Sequence, residues 1–360
     1  MKTRNQTSKL RRAAKGKGEA RRKDYTEENW ENLLDQHGRP RAGRPGREDV
    51  AGADENLADA DYAGAAIVIS VSSGRCRAFL DDHEIDCVIP PEIAVRLKSA
   101  LTVGDRVRIA EVNGVSTIAE VLPRRSVLAR PDPLHKHRQR LIAANIDVVI
   151  HVVSVKAPPL RPRLIDRYLI AIERGGARPV ICVNKVDLLD DNERLTELAK
   201  LQSYRDLGVP VVACSTKTGE GLDELRALVT GKTSALVGHS GVGKSSILNA
   251  LDSQLQIATN TLHRRGTGRH TTTASTLFDF GDGTFLIDTP GIREFGLWDL
   301  DRETLRDYFP EFQEPAVRCK FNDCVHVSEP RCEVKALIEA GEINRARYDT
   351  YVRLYEDLEK

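Results

Sequence analysis

Gly238-His239-Ser240-Gly241-Val242-Gly243-Lys244-Ser245 is the stretch on which the reading of this chain turns. It satisfies G-x-x-x-x-G-K-[ST] without substitution, and its flanks agree with that pattern. Thr233–Val237 is a β-branched and apolar run typical of a buried strand, and Ser245–Leu251 has the composition of a helix. Glycines at this spacing let backbone amides wrap a chain of phosphates, with a helix N-terminus behind them. Lys244 is expected to reach the β- and γ-phosphates and the Ser245 hydroxyl to hold Mg²⁺. Gly238, His239, Ser240, Gly241, Val242, Gly243 and Ser246 make the rest of the cradle. The competing reading is a glycine-rich turn before an ordinary helix.

Two further segments weigh against that alternative. Asp288-Thr289-Pro290-Gly291 follows the apolar run Thr284–Ile287, which places a carboxylate at a strand end beside the phosphate loop. Asp288 is there to hold Mg²⁺ through water, and the Gly291 amide to sense a γ-phosphate, so this loop is expected to switch. Upstream, Asn184-Lys185-Val186-Asp187 ends the apolar strand Arg178–Val183. The Asp187 carboxylate can accept two hydrogen bonds from guanine N1 and N2; adenine offers no such pair, and a buried unpaired charge rejects it. Ser215-Thr216-Lys217, after the strand Val209–Cys214, resembles the Ser-Ala-Lys loop whose backbone amide contacts guanine O6 in GTPases. Thr216 in place of alanine leaves that amide available.

In most GTPases the phosphate loop precedes the base-reading motif. Here the order is base, phosphate, switch, which looks like a circularly permuted GTPase. The position after Gly291, where many GTPases carry a water-orienting glutamine, is Ile292, which has no hydrogen-bonding group. Water positioning then falls to Gly268-Arg269-His270-Thr271-Thr272-Thr273, where the first switch belongs. Thr272 is the candidate for the Mg²⁺ shell and His270 for orienting water, against the plainer reading of His270 as a solvated loop residue. Unaided hydrolysis should be slow, and a partner must order this loop.

Residues 1–47 carry a net charge of +8 and the remainder −7, an asymmetry hidden in the overall +1. With few apolar residues, the chain to about residue 60 reads as a disordered extension, basic then acidic. Such an arm suits phosphate backbones, or is simply a solvated tail. No run of 18 uncharged apolar residues exists, which argues against a membrane span, and the charged N-terminus lacks a secretory signal. From 64 to 125, runs at Ala65–Val71, Arg75–Leu80, Glu84–Ile89, Arg106–Ala110 and Ser116–Val121 alternate with turn signals at Ser73-Gly74, Gly104-Asp105 and Asn113-Gly114. Five short strands suit a small closed barrel, an OB-fold, binding RNA more through shape and charge than stacking because Phe79 is its only strand aromatic. A purely structural barrel is the alternative. Ala129–Leu134 reads as a linker into a doubly wound sheet, with first strand Asp147–Val155 and helices around 164–174, 192–207 and 222–230.

Cys319, Cys324, His326 and Cys332 form C-x₄-C-x-H-x₅-C. Three thiolates and one imidazole satisfy tetrahedral Zn²⁺ and leave no open position, so one structural zinc is expected. Cys182 and Cys214 sit in apolar strands and read as core. Clustered thiols of this kind belong in a reducing compartment. Beyond the cluster, 336–340 and 343–358 read as helices broken at Gly341, with Tyr348, Val352, Tyr355 and Leu358 as a packing stripe.

The fold expected is an α/β P-loop GTPase domain (130–300), circularly permuted, between an N-terminal all-β OB-fold barrel (64–125) and a C-terminal helical zinc-binding domain (301–360). The ordered set N-K-x-D, S-x-K, the phosphate loop, G-R-H-T-T-T, D-T-P-G and the Cys/His cluster is similar to the ribosome small-subunit-dependent GTPase A family, over about residues 64–358. That resemblance implies a monomeric, cytoplasmic bacterial factor hydrolysing GTP to GDP late in maturation of the small (30S) ribosomal subunit, stimulated by the subunit and binding its 16S rRNA through the barrel and zinc domains. Two rival readings are a GTP-controlled RNA-binding switch with incidental hydrolysis, and a zinc-containing regulator using nucleotide only for stability.

Overall fold

The computed structural model describes residues 62–96, 101–131, 139–255, 275–289 and 300–358. The N-terminal extension, His270, Thr272, Gly291 and Ile292 lie outside the described residues.

Strands β1 (Ala66–Ser72), β2 (Arg75–Leu80), β3 (His83–Val88), β4 (Arg106–Val112) and β5 (Val115–Val121) close into a barrel in the order β1-β2-β3-β5-β4. Helix α1 (Pro91–Arg96) follows β3. With β3 parallel to β5, this is the OB arrangement that the turn spacing predicts. Alternation sets the faces: Cys76 and Ala78 are buried, while Arg77 between them pairs outward with Glu84 and Asp86 of β3 at 3.3 and 3.2 Å. Asn113-Gly114 closes a two-residue hairpin with both residues at positive φ, as a type I′ turn requires. Asp81-Asp82 does the same between β2 and β3 (φ 48° and 62°), a turn without the glycine that marks the others.

The supposed linker is partly strand. β6 (Val127–Pro131) pairs antiparallel with β7 (Gln139–Ala144), burying Leu128, Ala143 and Ala144. Arg130 and Pro131 break its apolar alternation, so only the partner strand reveals it.

A six-stranded sheet follows, in the order β10-β9-β8-β11-β13-β12. Its members are β8 (Val148–Ser154), β9 (Arg178–Asn184), β10 (Val211–Ala213), β11 (Thr233–Val237), β12 (Thr276–Asp279) and β13 (Phe285–Asp288). All neighbours are parallel except β12 against β13. Every residue of β8 and β11 is buried, which is why both read as mostly apolar, β-branched runs rather than alternating ones. His151, inside β8, stacks on Tyr168 with ring centroids 3.9 Å apart, and burial lowers its pKa to about 3, so the ring is neutral. Cys182 and Cys214 are fully buried core residues.

Helices α2 (Pro162–Arg174), α3 (Asp191–Ala199), α4 (Gln202–Asp206), α5 (Leu222–Val229) and α6 (Lys244–Leu255) connect these strands. The single helix expected over 192–207 is two helices. An Asp190/Glu193 capping box fixes the start of α3, and Lys200-Leu201 interrupts before α4 because Leu201 turns fully into the core. The parallel strands place the loops after β8, β9, β11 and β13 on one edge, where a doubly wound sheet receives its ligand.

The last segment contains α7 (Arg302–Leu305), α8 (Gln313–Ala316), α9 (Glu333–Glu339) and α10 (Arg345–Asp357). Its core is aromatic: Phe312 meets Tyr351 edge-on at 5.1 Å, and Phe309 meets Tyr351 at the same distance. Gly341, at φ 79°, ends α9 as the sequence implies. Tyr348 is buried as expected, but Tyr351 and Leu354 carry more of the packing than Val352, Tyr355 and Leu358.

Candidate nucleotide site and metal centre

β11 delivers the phosphate loop and α6 begins at Lys244, as the pattern predicts. Two glycines are dictated by close approach. A Cβ on Gly238 would lie 2.2 Å from the Val152 carbonyl oxygen, and one on Gly243 would lie 2.3 Å from Asn184 Nδ2. Gly243 is therefore where the phosphate loop and the base-reading motif touch. The contact is bonded: Asn184 Nδ2 donates to the Val242 carbonyl at 2.9 Å, and Lys185 Nζ donates to the carbonyls of Gly241 (2.6 Å) and Ala157 (2.7 Å). Lys185 reaches them from a left-handed backbone position, φ 68°. Groups 56 and 58 residues apart in sequence thus share one edge of the sheet.

On the base side, Ser215 Oγ donates to Asp187 Oδ1 at 2.6 Å and accepts from the amides of Lys217 and Thr218, both 3.2 Å. Asp187 remains half-exposed and Val186 is buried beneath it. Lys156, which the motif patterns do not mark, ties this region to the loop after β8: its Nζ donates to the Leu188 carbonyl (3.0 Å) and pairs with Glu193 (2.6 Å).

On the phosphate side, Lys244 Nζ folds back onto the loop carbonyls of Gly238 (2.8 Å) and His239 (3.1 Å). Asp288 ends β13, which pairs directly with β11. Burial pulls the Lys244 ammonium below its usual range and pushes the Asp288 carboxyl above its own, and each charge opposes the shift of the other. Thr289 Oγ1 donates to the Leu236 carbonyl, fastening the start of the D-T-P-G loop beneath the phosphate loop. Ser245 and Ser246 are exposed on the first turn of α6.

The second cluster is also assembled. The donor atoms of Cys319, Cys324, His326 and Cys332 lie within 4.8 Å of one another. Cys319 Sγ is 3.9 Å from Cys332 Sγ, and His326 Nδ1 is 3.3 Å from Cys332 Sγ and 3.6 Å from Cys319 Sγ. Zn–S bonds of about 2.3 Å imply tetrahedral edges near ~3.8 Å. The four residues therefore fit a tetrahedral metal ion. The loop carrying them is fixed by the Glu329 carboxylate, which accepts from the amides of Val325 and Val327 (2.8 and 3.0 Å), and by the hydroxyls of Tyr351 and Tyr348 on the carbonyls of Val325 and His326 (2.6 and 2.8 Å).

Comparison with known proteins agrees with this geometry. The RsgA GTPase family model matches residues 121–298. The small ribosomal subunit biogenesis GTPase RsgA of Sodalis glossinidius is 43% identical over 271 residues, covering 73% of this chain and 77% of that protein. The protein of the same name from Haemophilus influenzae is 42% identical over 272 residues, again 73% and 77%. The chain belongs to the RsgA GTPase family. Among solved structures, YjeQ from Thermotoga maritima superposes with a TM-score of 0.68 at 34% identity, covering 82% of this chain and 98% of that one. YloQ, described as a circularly permuted GTPase, gives 0.65 at 30% identity, covering 82% and 94%. The permuted order read from the motifs is thus the order of the RsgA fold, and the chain is a GTP hydrolase.

A buried ion network of this RsgA-family chain also escaped the sequence. Arg347 of α10 is buried and reaches Asp166 of α2 at 2.6 Å and Glu311 at 2.5 Å. Asp166 also accepts from the Tyr204 hydroxyl at 2.8 Å, and the Arg347 guanidinium lies over the rings of Tyr204 and Phe309. This ion network joins the segment carrying the Cys/His cluster to the sheet that carries the nucleotide motifs. No local signal announces it, because its members are up to 181 residues apart.

Proposed function

We propose that this RsgA-family GTPase couples GTP hydrolysis to late maturation of the small ribosomal subunit. The observation that carries the reading is the pair of bonds from Asn184 and Lys185 to the carbonyls of Val242 and Gly241, which hold base-reading and phosphate-binding motifs at one site. Asp187 selects guanine, with Ser215, Thr216 and Lys217 closing over the base. The amides of Gly238–Gly243 cradle the phosphates, and Lys244 leaves the loop carbonyls to meet the β- and γ-oxygens. Ser245, Thr272 and Asp288 are the residues that would hold Mg²⁺, which neutralises developing charge when bound. Gly291 senses the γ-phosphate, and His270 orients water when the subunit is bound.

The Cys/His cluster holds structural zinc in this reading. The barrel and the metal segment bind 16S rRNA, and the basic arm at 1–47 adds salt-sensitive affinity. The boundaries 64–125, 130–300 and 301–360 are the working division of the chain. No helix among the described residues is long and apolar enough to cross a membrane. The protein acts as a cytoplasmic monomer.

Asp187→Asn tests base selection. Nucleotide titration should show preference moving from GTP toward xanthosine triphosphate, and a variant still preferring GTP contradicts the assignment. For His270→Ala, basal turnover should persist while acceleration by purified subunits is lost; unchanged acceleration removes His270 from the mechanism. Acceleration absent from the wild type would instead favour an RNA-binding switch in which hydrolysis is incidental.

A further inference from the structure

Helix α2 begins with an electrostatic mismatch. The N-terminus of a helix is its positive end and favours carboxylates. The first turn of α2 holds no acidic residue. Asp166, the nearest, is turned inward and committed to Arg347 and Tyr204. In place of carboxylates stand Arg161 just before the helix, Arg163 in its first turn and Arg167 one turn on. Arg161 and Arg163 are exposed and Arg167 is half-exposed. Among the described residues none of the three has a side-chain hydrogen bond or ion pair. Together with Pro162 and Leu164 they line one surface pocket.

Three uncompensated cations gathered at the wrong end of a helix repel one another and the helix itself. That arrangement is relieved by an anion, and its shape says which kind. Pro162 at the first helical position withdraws an amide, so recognition falls to the guanidinium groups rather than the backbone. The charges are spread over a full turn and separated by the apolar surfaces of Pro162 and Leu164. With Arg161 before the helix and Arg163 and Arg167 about one turn apart on it, the charges form a run that suits a chain of phosphates.

The position is equally informative. The loop leading into Arg161 is the one that touches the phosphate loop: Lys185 Nζ donates to Ala157, and Pro158 Cδ lies 3.8 Å from where a Cβ on Gly241 would stand. Tyr204 then fixes the Pro162 carbonyl at 2.9 Å. We propose that Arg161, Arg163 and Arg167 form a docking surface for the sugar–phosphate backbone of RNA, on the nucleotide domain and beside the nucleotide itself. The proposal rests on the reading that the protein works on the small ribosomal subunit.

The test titrates full-length protein, loaded with a non-hydrolysable GTP analogue, against purified small subunits over a range of salt. The triple variant R161E/R163E/R167E should lose about tenfold or more in affinity, and its log–log salt dependence should flatten by about 2. R161K/R163K/R167K keeps the charge and should stay close to wild type. Basal hydrolysis should be unchanged in both, showing an intact nucleotide site. Arg178→Glu, at the opposite end of the parallel strands, is compared with Arg163→Glu alone, which changes the net charge equally, and an equal loss in the two overturns the proposal. Equal affinity of the glutamate triple and wild type overturns the docking surface and leaves the subunit reading standing. Failure of the wild type to bind subunits overturns both. Arginine-dependent binding to vesicles of anionic phospholipid, with subunit binding unaffected, assigns the surface to a membrane instead.

Discussion

From β8 to β13 the nucleotide domain is held by burial on both faces of a sheet, with Val148, Ile150, Val152, Leu236 and Leu286 in one apolar cluster. The segment from Arg302 to Asp357 has no sheet; α7 and α8 are four residues each, and α9 is seven. It substitutes a metal-fitting cluster, an aromatic knot around Phe312 and Tyr351, and a buried guanidinium. Burial is a sum of many small terms, each fully buried aliphatic side chain adding about 1.5–3 kcal/mol. The C-terminal segment depends on a few large ones. The first region should therefore degrade gradually under substitution, and the second should fail at single points.

The largest test of that contrast is metal removal. Chelation, or Cys332→Ser, should abolish amide-exchange protection across 302–357 while β8, β9 and β11 stay protected. Loss of protection throughout would mean that the nucleotide domain also leans on the metal. Next comes Arg347→Met, which strands Asp166 beside an empty partner and should cost roughly 3–5 kcal/mol in denaturant unfolding. Adding Asp166→Asn should recover part of that loss, and no recovery would show the ion pair to be incidental. The smallest effect belongs to the buried region's own edge. Gly243→Ala meets Asn184 Nδ2 at a φ of 99°, and should cost about 1–3 kcal/mol of stability. Its guanine-nucleotide affinity should fall along with stability. Full affinity would show that the Asn184–Val242 contact can be broken without consequence.

What was legible in the sequence follows the same division. The β11–loop–α6 unit, the strand ending at Asp288 and the Cys/His group that could hold a metal are local patterns whose chemistry demands fixed spacing, and each is found as an assembled unit. The barrel's strands were readable because Gly74 and Asn113-Gly114 punctuate them; the Asp81-Asp82 turn was less so, since it lacks the glycine that marks the others. β6 was hidden because Arg130 and Pro131 masked its alternation until β7 supplied a partner. The Arg347 network and Lys156 had no local signature, because an ion pair across α2 and α10 exists only after both helices are placed.

The Tyr348 and Tyr351 hydroxyls that grip the metal loop lie within a turn of Arg347 on the same helix. Asp166, which Arg347 grips in turn, lies five residues past Arg161, next to the loop that Lys185 holds. The cysteine loop, the Arg347 guanidinium and the approach to the phosphate loop are thus joined by one continuous run of bonded residues.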